Sequence, residues 1–205
     1  MTVLSPRIYL ASRSPRRREL LHQIHVNFEL LVFRGGERAD ADVAEDALPG
    51  EPALDYVRRV ARIKALGGAE RVFLRRLVQH PVLAADTTLE LDGEIIGKPR
   101  DAQDAAAILR RLSGRTHRVL TAVAVADEDR LEETLSASEV SFRELADEEI
   151  RRYVLTGEPM DKAGAYGIQG RAALFVREIR GSYTGIMGLP LYETGILLGR
   201  FGHVL

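Results

Sequence analysis

The chain has no cysteine and no tryptophan, and aromatic residues make up only 6% of its 205 positions. The lack of cysteine excludes disulfides and thiolate zinc sites, and a cytoplasmic location is expected. Scarce aromatics leave few platforms on which single-stranded nucleic acid could stack. A formal net charge of -1 likewise lacks the positive excess of a general nucleic-acid binder, so no stable nucleic-acid partner is expected. Long apolar runs are missing too. The longest, Val119 to Ala126, is broken by Thr121, and Met1 to Leu10 has no charged-then-apolar signal pattern. No segment is expected to span or target a membrane. The five histidines show no zincin spacing; His22 and His25 fall at the end of a predicted helix, where a partly charged imidazole suits the dipole.

Lysine is the last scarcity. Lys64, Lys98 and Lys162 are the only three lysines among 29 basic residues. Lysine is a compact, flexible point charge and a frequent phosphate partner, whereas arginine is a rigid planar fork. The surroundings of these three residues are the least ordinary stretches of the sequence.

What is present fits one domain over residues 1–205, with two lobes about a cleft and a hydrophobic content of 45%. Charge is unevenly spread. Residues 1–80 carry 14 Lys/Arg against 10 Asp/Glu, whereas residues 127–150 carry 10 acids against two arginines. A polyanion should therefore prefer the N-terminal half.

Ile8 to Ala11 reads as a short buried strand, Ser12-Arg13-Ser14 as a turn, and Pro15 as the start of a helix carrying Leu20, Leu21 and Ile24. Ser14 is a natural N-cap and Pro15 a natural first helical residue. Arg16, Arg17 and Arg18 then fall in the first turn, where each exposed cation is disfavoured by about 0.3–1 kcal/mol. Three together make sense if an anion occupies the turn, held by backbone N–H groups, serine hydroxyls and guanidinium forks. A solvated basic patch paired with acids such as Glu19 is the plainer alternative. Neither a Walker A loop nor a Rossmann glycine fingerprint is present.

A helix is predicted from Glu51-Pro52 to about Gly67. Leu54, Val57, Val60, Ala61 and Ala65 share its apolar side, and Lys64 points with them. A buried ammonium there needs an acidic partner or a ligand, unless it snorkels from the stripe's edge. Further on, Val82 to Ala85 reads as a central strand with Asp86 at its C-terminal end, where open α/β sheets bind ligands. Asp86 is thus a candidate for metal or base chemistry. A hairpin with an Asp92-Gly93 turn follows and returns Lys98 to the neighbourhood of Asp86.

Asp101 is predicted to cap a helix ending at Ser113-Gly114; strands follow over 118–126 and 131–142, then a helix from Asp147 to Thr156 stopped by Gly157. Asp161 to Gly170 is too glycine-rich for a helix interior. Its Gln169 has the donor and acceptor to read a base edge, and a plain tight loop explains the glycines equally well. Lys162 either contacts phosphate or pairs with Asp161. A strand over 174–179 and a last helix from Pro190 complete the chain.

Four ordered motifs give the sequence a family resemblance: Leu10-Ala11-Ser12-x-Ser14-Pro15-Arg16-Arg17, Ala84-Ala85-Asp86-Thr87, Gly97-Lys98-Pro99 and Asp161 through Gly170. With the closing Gly188-Leu189-Pro190-Leu191, they resemble the Maf family over nearly the whole chain. The resemblance implies an α/β fold of two lobes around an elongated, twisted mixed sheet, with helices packed on it and the site in the cleft. It implies a nucleoside triphosphate pyrophosphatase, dependent on Mg or Mn, that releases a monophosphate and pyrophosphate, and commonly a homodimer. By position, Asp86 resembles the catalytic carboxylate, and Ser12, Arg17, Lys64 and Lys98 the polar site residues. Glu37 resembles a second acid that shares the metal with Asp86. Arg16, Thr87 and Gln169 match the positions that set base choice in the dTTP/UTP subgroup. Arg13 stands where many members have a small residue, and Gly35-Gly36 where a further acid is often found. Pyrophosphatases for 7-methyl-GTP or other non-standard nucleotides, and a non-catalytic nucleotide-binding regulator of septation, remain as alternatives.

Overall fold

The computed structural model describes residues 7–31, 45–128 and 130–203. Its centre is one mixed sheet built from β1 (Ile8–Leu10), β2 (Phe28–Leu30), β3 (Val82–Leu91), β4 (Glu94–Ile96), β5 (Thr116–Ala126), β6 (Leu131–Phe142) and β7 (Val176–Arg180). The order is β2-β1-β3-β5-β6-β7, with β4 added to β3. β1 runs parallel to β2 and β3, and every other pairing is antiparallel. The α/β class and mixed sheet are as expected.

Side chains alternate across a strand, so β3 feeds two cores. Leu83, Ala85 and Leu89 join one, under α1 (Pro15–Gln23), α3 (Ala102–Leu112), α4 (Asp147–Val154), α5 (Tyr183–Met187) and α6 (Leu191–Arg200). Val82 and Ala84 join the other, against α2 (Ala53–Leu74). That second face is lined by small residues, Ala84, Ala122, Ala124 and Ala126 on the sheet and Ala61 and Ala65 on the helix. Small side chains on both sides let α2 lie close to the strands.

Two boundaries differ from the sequence expectation. α2 does not end near Gly67 but runs on to Leu74. Gly68 lies inside it because the helix crosses β3 there: a Cβ at Gly68 would sit 2.6 Å from Val82 Cγ1 and 3.3 Å from Leu31 Cδ2. The glycine serves a close approach rather than a stop. Nor does Asp86 end a strand. β3 continues through it to Leu91 and pairs with β5 from Val82↔Ala126 to Glu90↔Arg118. On its other edge, β1 pairs at Val82 and Leu83 and β4 at Leu89 to Leu91. Among the described residues, 84–88 have no strand partner on that edge. Asp86 and Thr87 therefore sit in a gap between two partners, and this gap opens the site.

Most other elements follow the sequence, but β2 was not expected, and the strand expected over 174–179 begins only at Val176, after a 3-10 turn over Arg171–Phe175. Asp101 Oδ1 accepts from Asp104 N at 2.7 Å to cap α3. The β3–β4 turn places Asp92 at φ 55° and Gly93 at φ 82°, the left-handed pair of a two-residue hairpin. α5 was not foreseen: Ser182 Oγ caps it by accepting from Gly185 N at 3.0 Å. Among the described residues no helix is long and apolar enough to cross a membrane.

Candidate active site

The gap in β3 opens into a cavity of about 1390 Å³. Ser12, Arg16, Arg17, Lys64, Asp86, Thr87, Lys98 and Gln169 all line it, so every described residue singled out from the sequence reaches one space. Glu37, expected as a metal ligand, lies outside the described residues, as do Gly35 and Gly36.

Asp86 and Lys64 meet at its floor. Even-numbered residues of β3 face α2, and Lys64 projects from α2 with the apolar stripe, as expected. Its Nζ lies 2.9 Å from Asp86 Oδ1 and 2.8 Å from Glu45 Oε2. Lys64 and Asp86 side chains are only 12% and 13% exposed, which leaves little water to compete for either charge. The acidic partner that the sequence demanded is thus present twice. Glu45 was missed because it sits in an acid-rich stretch with no periodic pattern to assign it. Tyr56, one helical turn into α2, also lines the cavity. Burial first, then Asp86 and Glu45, push its hydroxyl up to about 12, so it stays a proton donor at neutral pH.

The odd-numbered Thr87 faces the opposite side and meets α1. Arg17 is fixed by three bonds: Nε to Gly188 O at 2.8 Å, Nη1 to Ser12 Oγ at 3.1 Å and Nη2 to Thr87 Oγ1 at 3.3 Å. Thr87 Oγ1 lies 2.9 Å from Thr121 Oγ1, whose hydroxyl donates to Gly185 O at 2.8 Å. With Thr121 donating onward, Thr87 must donate to Thr121 and accept from Arg17. Burial lowers the Arg17 pKa, and Asp86 acts in the opposite sense; a guanidinium remains charged under either influence. The closing Gly188 motif thereby has a role: the end of α5 anchors an arginine.

Ser14 stands at the N-cap of α1 without a side-chain capping bond, and no acid occupies the first turn. Instead, Ser14 N donates to Ser12 Oγ at 3.2 Å. The turn therefore keeps positive backbone and side-chain charge facing the cavity, as an anion site requires.

On the far side, Gly167 to Gly170 forms a tight turn closed by Gly170 N to Gly167 O at 3.0 Å, with Gln169 exposed into the cavity. Lys162 Nζ donates to Glu158 O at 2.6 Å and contacts Asp161, which supports its loop-ordering alternative. Asp161 also lies 3.9 Å from Arg16, linking this loop to the first turn of α1. Lys98 is exposed at the rim, delivered by the β3–β4 hairpin.

For a metal, the available donors are hard oxygens. No group of three or more His, Asp or Glu is suitably placed among the described residues. Asp86 and Glu45, already converging on one ammonium, do suit an ion such as Mg²⁺ or Mn²⁺. Such ions are held by one or two carboxylates and take their remaining ligands from water and substrate phosphate.

Comparison with known proteins finds relatives that align over the whole chain. A dTTP/UTP pyrophosphatase of Aromatoleum aromaticum is 68% identical over 206 residues, covering 100% of both chains. That of Dechloromonas aromatica is 65% identical over 96% of this chain and 98% of its own. A third, from Chromobacterium violaceum, is 51% identical over 100% of both. The family model described as Maf-like protein matches residues 7–201. The chain belongs to the Maf family.

Proposed function

We propose that the protein is a nucleoside triphosphate pyrophosphatase that cleaves dTTP and UTP between the α and β phosphates. The observation that carries this is the Asp86–Lys64 pair at the floor of a cavity whose wall is the arginine-bearing first turn of α1. The names of full-length relatives support the same chemistry and the same bases.

Arg17 and the first turn of α1 would bind phosphate oxygens, with Ser12 and Thr87 fixing the guanidinium in place. A fork already oriented by three bonds loses little further freedom on binding. Lys64 holds Asp86 through Oδ1, so Oδ2 is the oxygen that would take the proton of the attacking water. The water oxygen bonds to the α phosphorus as the α–β bridging bond breaks and pyrophosphate departs. Lys64 and Lys98 offset the charge growing on that leaving group, the main demand of phosphoryl-type chemistry. Arg16 and Gln169, which line the same cavity, would contact the base. A divalent Mg or Mn ion held by Asp86, Glu45 and Glu37 would supply further charge neutralisation.

We also propose that the protein works as a homodimer in the cytoplasm, where nucleoside triphosphates are abundant. A single 22.7 kDa species in sedimentation would contradict the dimer.

The test is pyrophosphate release from dTTP, UTP and 7-methyl-GTP with Mg²⁺ or Mn²⁺. The expected result is a monophosphate and pyrophosphate, with dTTP and UTP the best substrates. A preference for 7-methyl-GTP would move the protein to the other substrate class. Binding without any release would make it a nucleotide sensor.

A further inference from the structure

Glu158 lines the cavity beside Gln169 and belongs to none of the recognised motifs. Its carboxylate is held between α4 and the backbone that follows Gly170. Tyr153 Oη donates to Oε1 at 2.9 Å, and Arg171 N donates to Oε2 at 3.2 Å. The same tyrosine oxygen accepts from Gly167 N at 3.2 Å. Both ends of the turn are thus tied to one Tyr153–Glu158 unit, supplied by α4 and the segment just after it.

Contact is so close that a side chain at Gly170 would have to push the carboxylate off its two donors. A Cβ at Gly170 would lie 2.0 Å from Glu158 Oε1, 2.4 Å from Cδ and 2.7 Å from Oε2. Gly170 has φ -99° and ψ -155°, which any residue adopts, so its backbone angles do not call for glycine. The carboxylate does. Gly167 is crowded too, with Lys162 Cε at 2.8 Å and Glu158 Oε1 at 3.3 Å from its would-be Cβ.

We infer that Glu158 is the positioning residue on which the base-reading turn Gly167–Gly170 is wrapped, setting where Gln169 meets the base and so which base is accepted. This rests on the reading of Gln169 as the group that contacts the base. Glu158 would act through the turn and not on the phosphates.

The test is kcat/KM for dTTP and dCTP, measured for the wild type, Gln169→Ala, Glu158→Ala, Glu158→Gln, Gly170→Ala and the Glu158→Ala/Gly170→Ala double variant. Glu158→Ala is expected to lower the dTTP-over-dCTP preference at least about fivefold, with a smaller fall in kcat for dTTP. Glu158→Gln should restore most of the preference. Its carbonyl oxygen still accepts from Arg171 N, while its amide donates to the tyrosine oxygen. Gly170→Ala should lower the preference in the wild type but add little to Glu158→Ala, because the clash partner has been removed. It also carries the test should Glu158→Ala fail to fold. An unchanged preference in Glu158→Ala, or full additivity in the double variant, overturns the inference while leaving the base reading intact. If Gln169→Ala itself leaves the preference unchanged, both fall.

Discussion

Lys64 lies between two carboxylates, and the cost of that arrangement separates a structural pair from a functional one. A nearly buried ammonium and carboxylate gain little over a well-packed apolar pair of similar volume, whereas loss of one partner costs about 3–5 kcal/mol. Stability alone therefore gives weak reason for Lys64 and Asp86 at the floor of a cavity. Lys64→Ala is expected to lower kcat/KM for dTTP by more than about tenfold, or about 1.4 kcal/mol, in steady-state assays on protein shown to be folded. An unchanged kcat/KM would make the pair structural. Thr121 presents the reverse case, a buried hydroxyl that stands behind Thr87 and does not itself line the cavity. Thr121→Val removes the acceptor of Thr87 and loosens Arg17, so KM for dTTP should rise about threefold or more while kcat changes less. Thr121→Ser should behave as the wild type. The lysine's need for an acid was legible from helical spacing. Glu45 and Thr121 were not, because no local pattern links a loop acid to residue 64, or one β-branched strand residue to another on a neighbouring strand.

At the scale of elements, glycine misled because its local preference is one that tertiary contact overrides, and threonine because its own strand preference was not followed. Gly67-Gly68 looks like a helix end, yet α2 needs it to cross Val82. Val82 to Ala85 reads as a short strand ended at Asp86, yet Thr87 and Thr88 are β-branched and β3 runs on through them to Leu91. Gly68→Ala is expected to destabilise the protein by up to about 2 kcal/mol, because overpacking of about 1–3 kcal/mol at a buried crossing outweighs the gain of about 1 kcal/mol in helix propensity. Chemical denaturation measures it, and a stabilised variant would mean that α2 can move away from β3. Elements whose signals are local, such as the Asp101 cap and the Asp92-Gly93 turn, were readable as they stand. α5 was not, since a five-residue helix offers no apolar period.

Across the whole molecule, a neutral histidine ties the sheet to the base side of the cavity. His117 on β5 is 2% exposed; its Nε2 lies 2.9 Å from Tyr166 Oη, and its ring packs edge-on against Phe142. Burial lowers its pKa from 6.5 to about 4. Between these values the unfolded chain binds a proton that the folded chain refuses, so this histidine's contribution makes stability fall as pH drops from 6.5 towards 4. The effect is on the order of 3 kcal/mol. Denaturation midpoints across that range should show the slope, and His117→Gln should flatten it. A wild type equally stable at pH 6.5 and pH 4.5 would contradict this.

The same wholeness governs the site: β3, α1, α2 and the 167–170 turn each contribute, and the motifs that named them lie far apart in sequence. Their convergence on Asp86 is the central claim, and Asp86→Asn tests it most directly because it removes charge with little change of volume. Turnover of dTTP should fall by about a thousandfold or more while nucleotide affinity remains near that of the wild type. A kcat near the wild-type value would show that the carboxylate serves only as a partner for Lys64, and that the chemistry lies elsewhere.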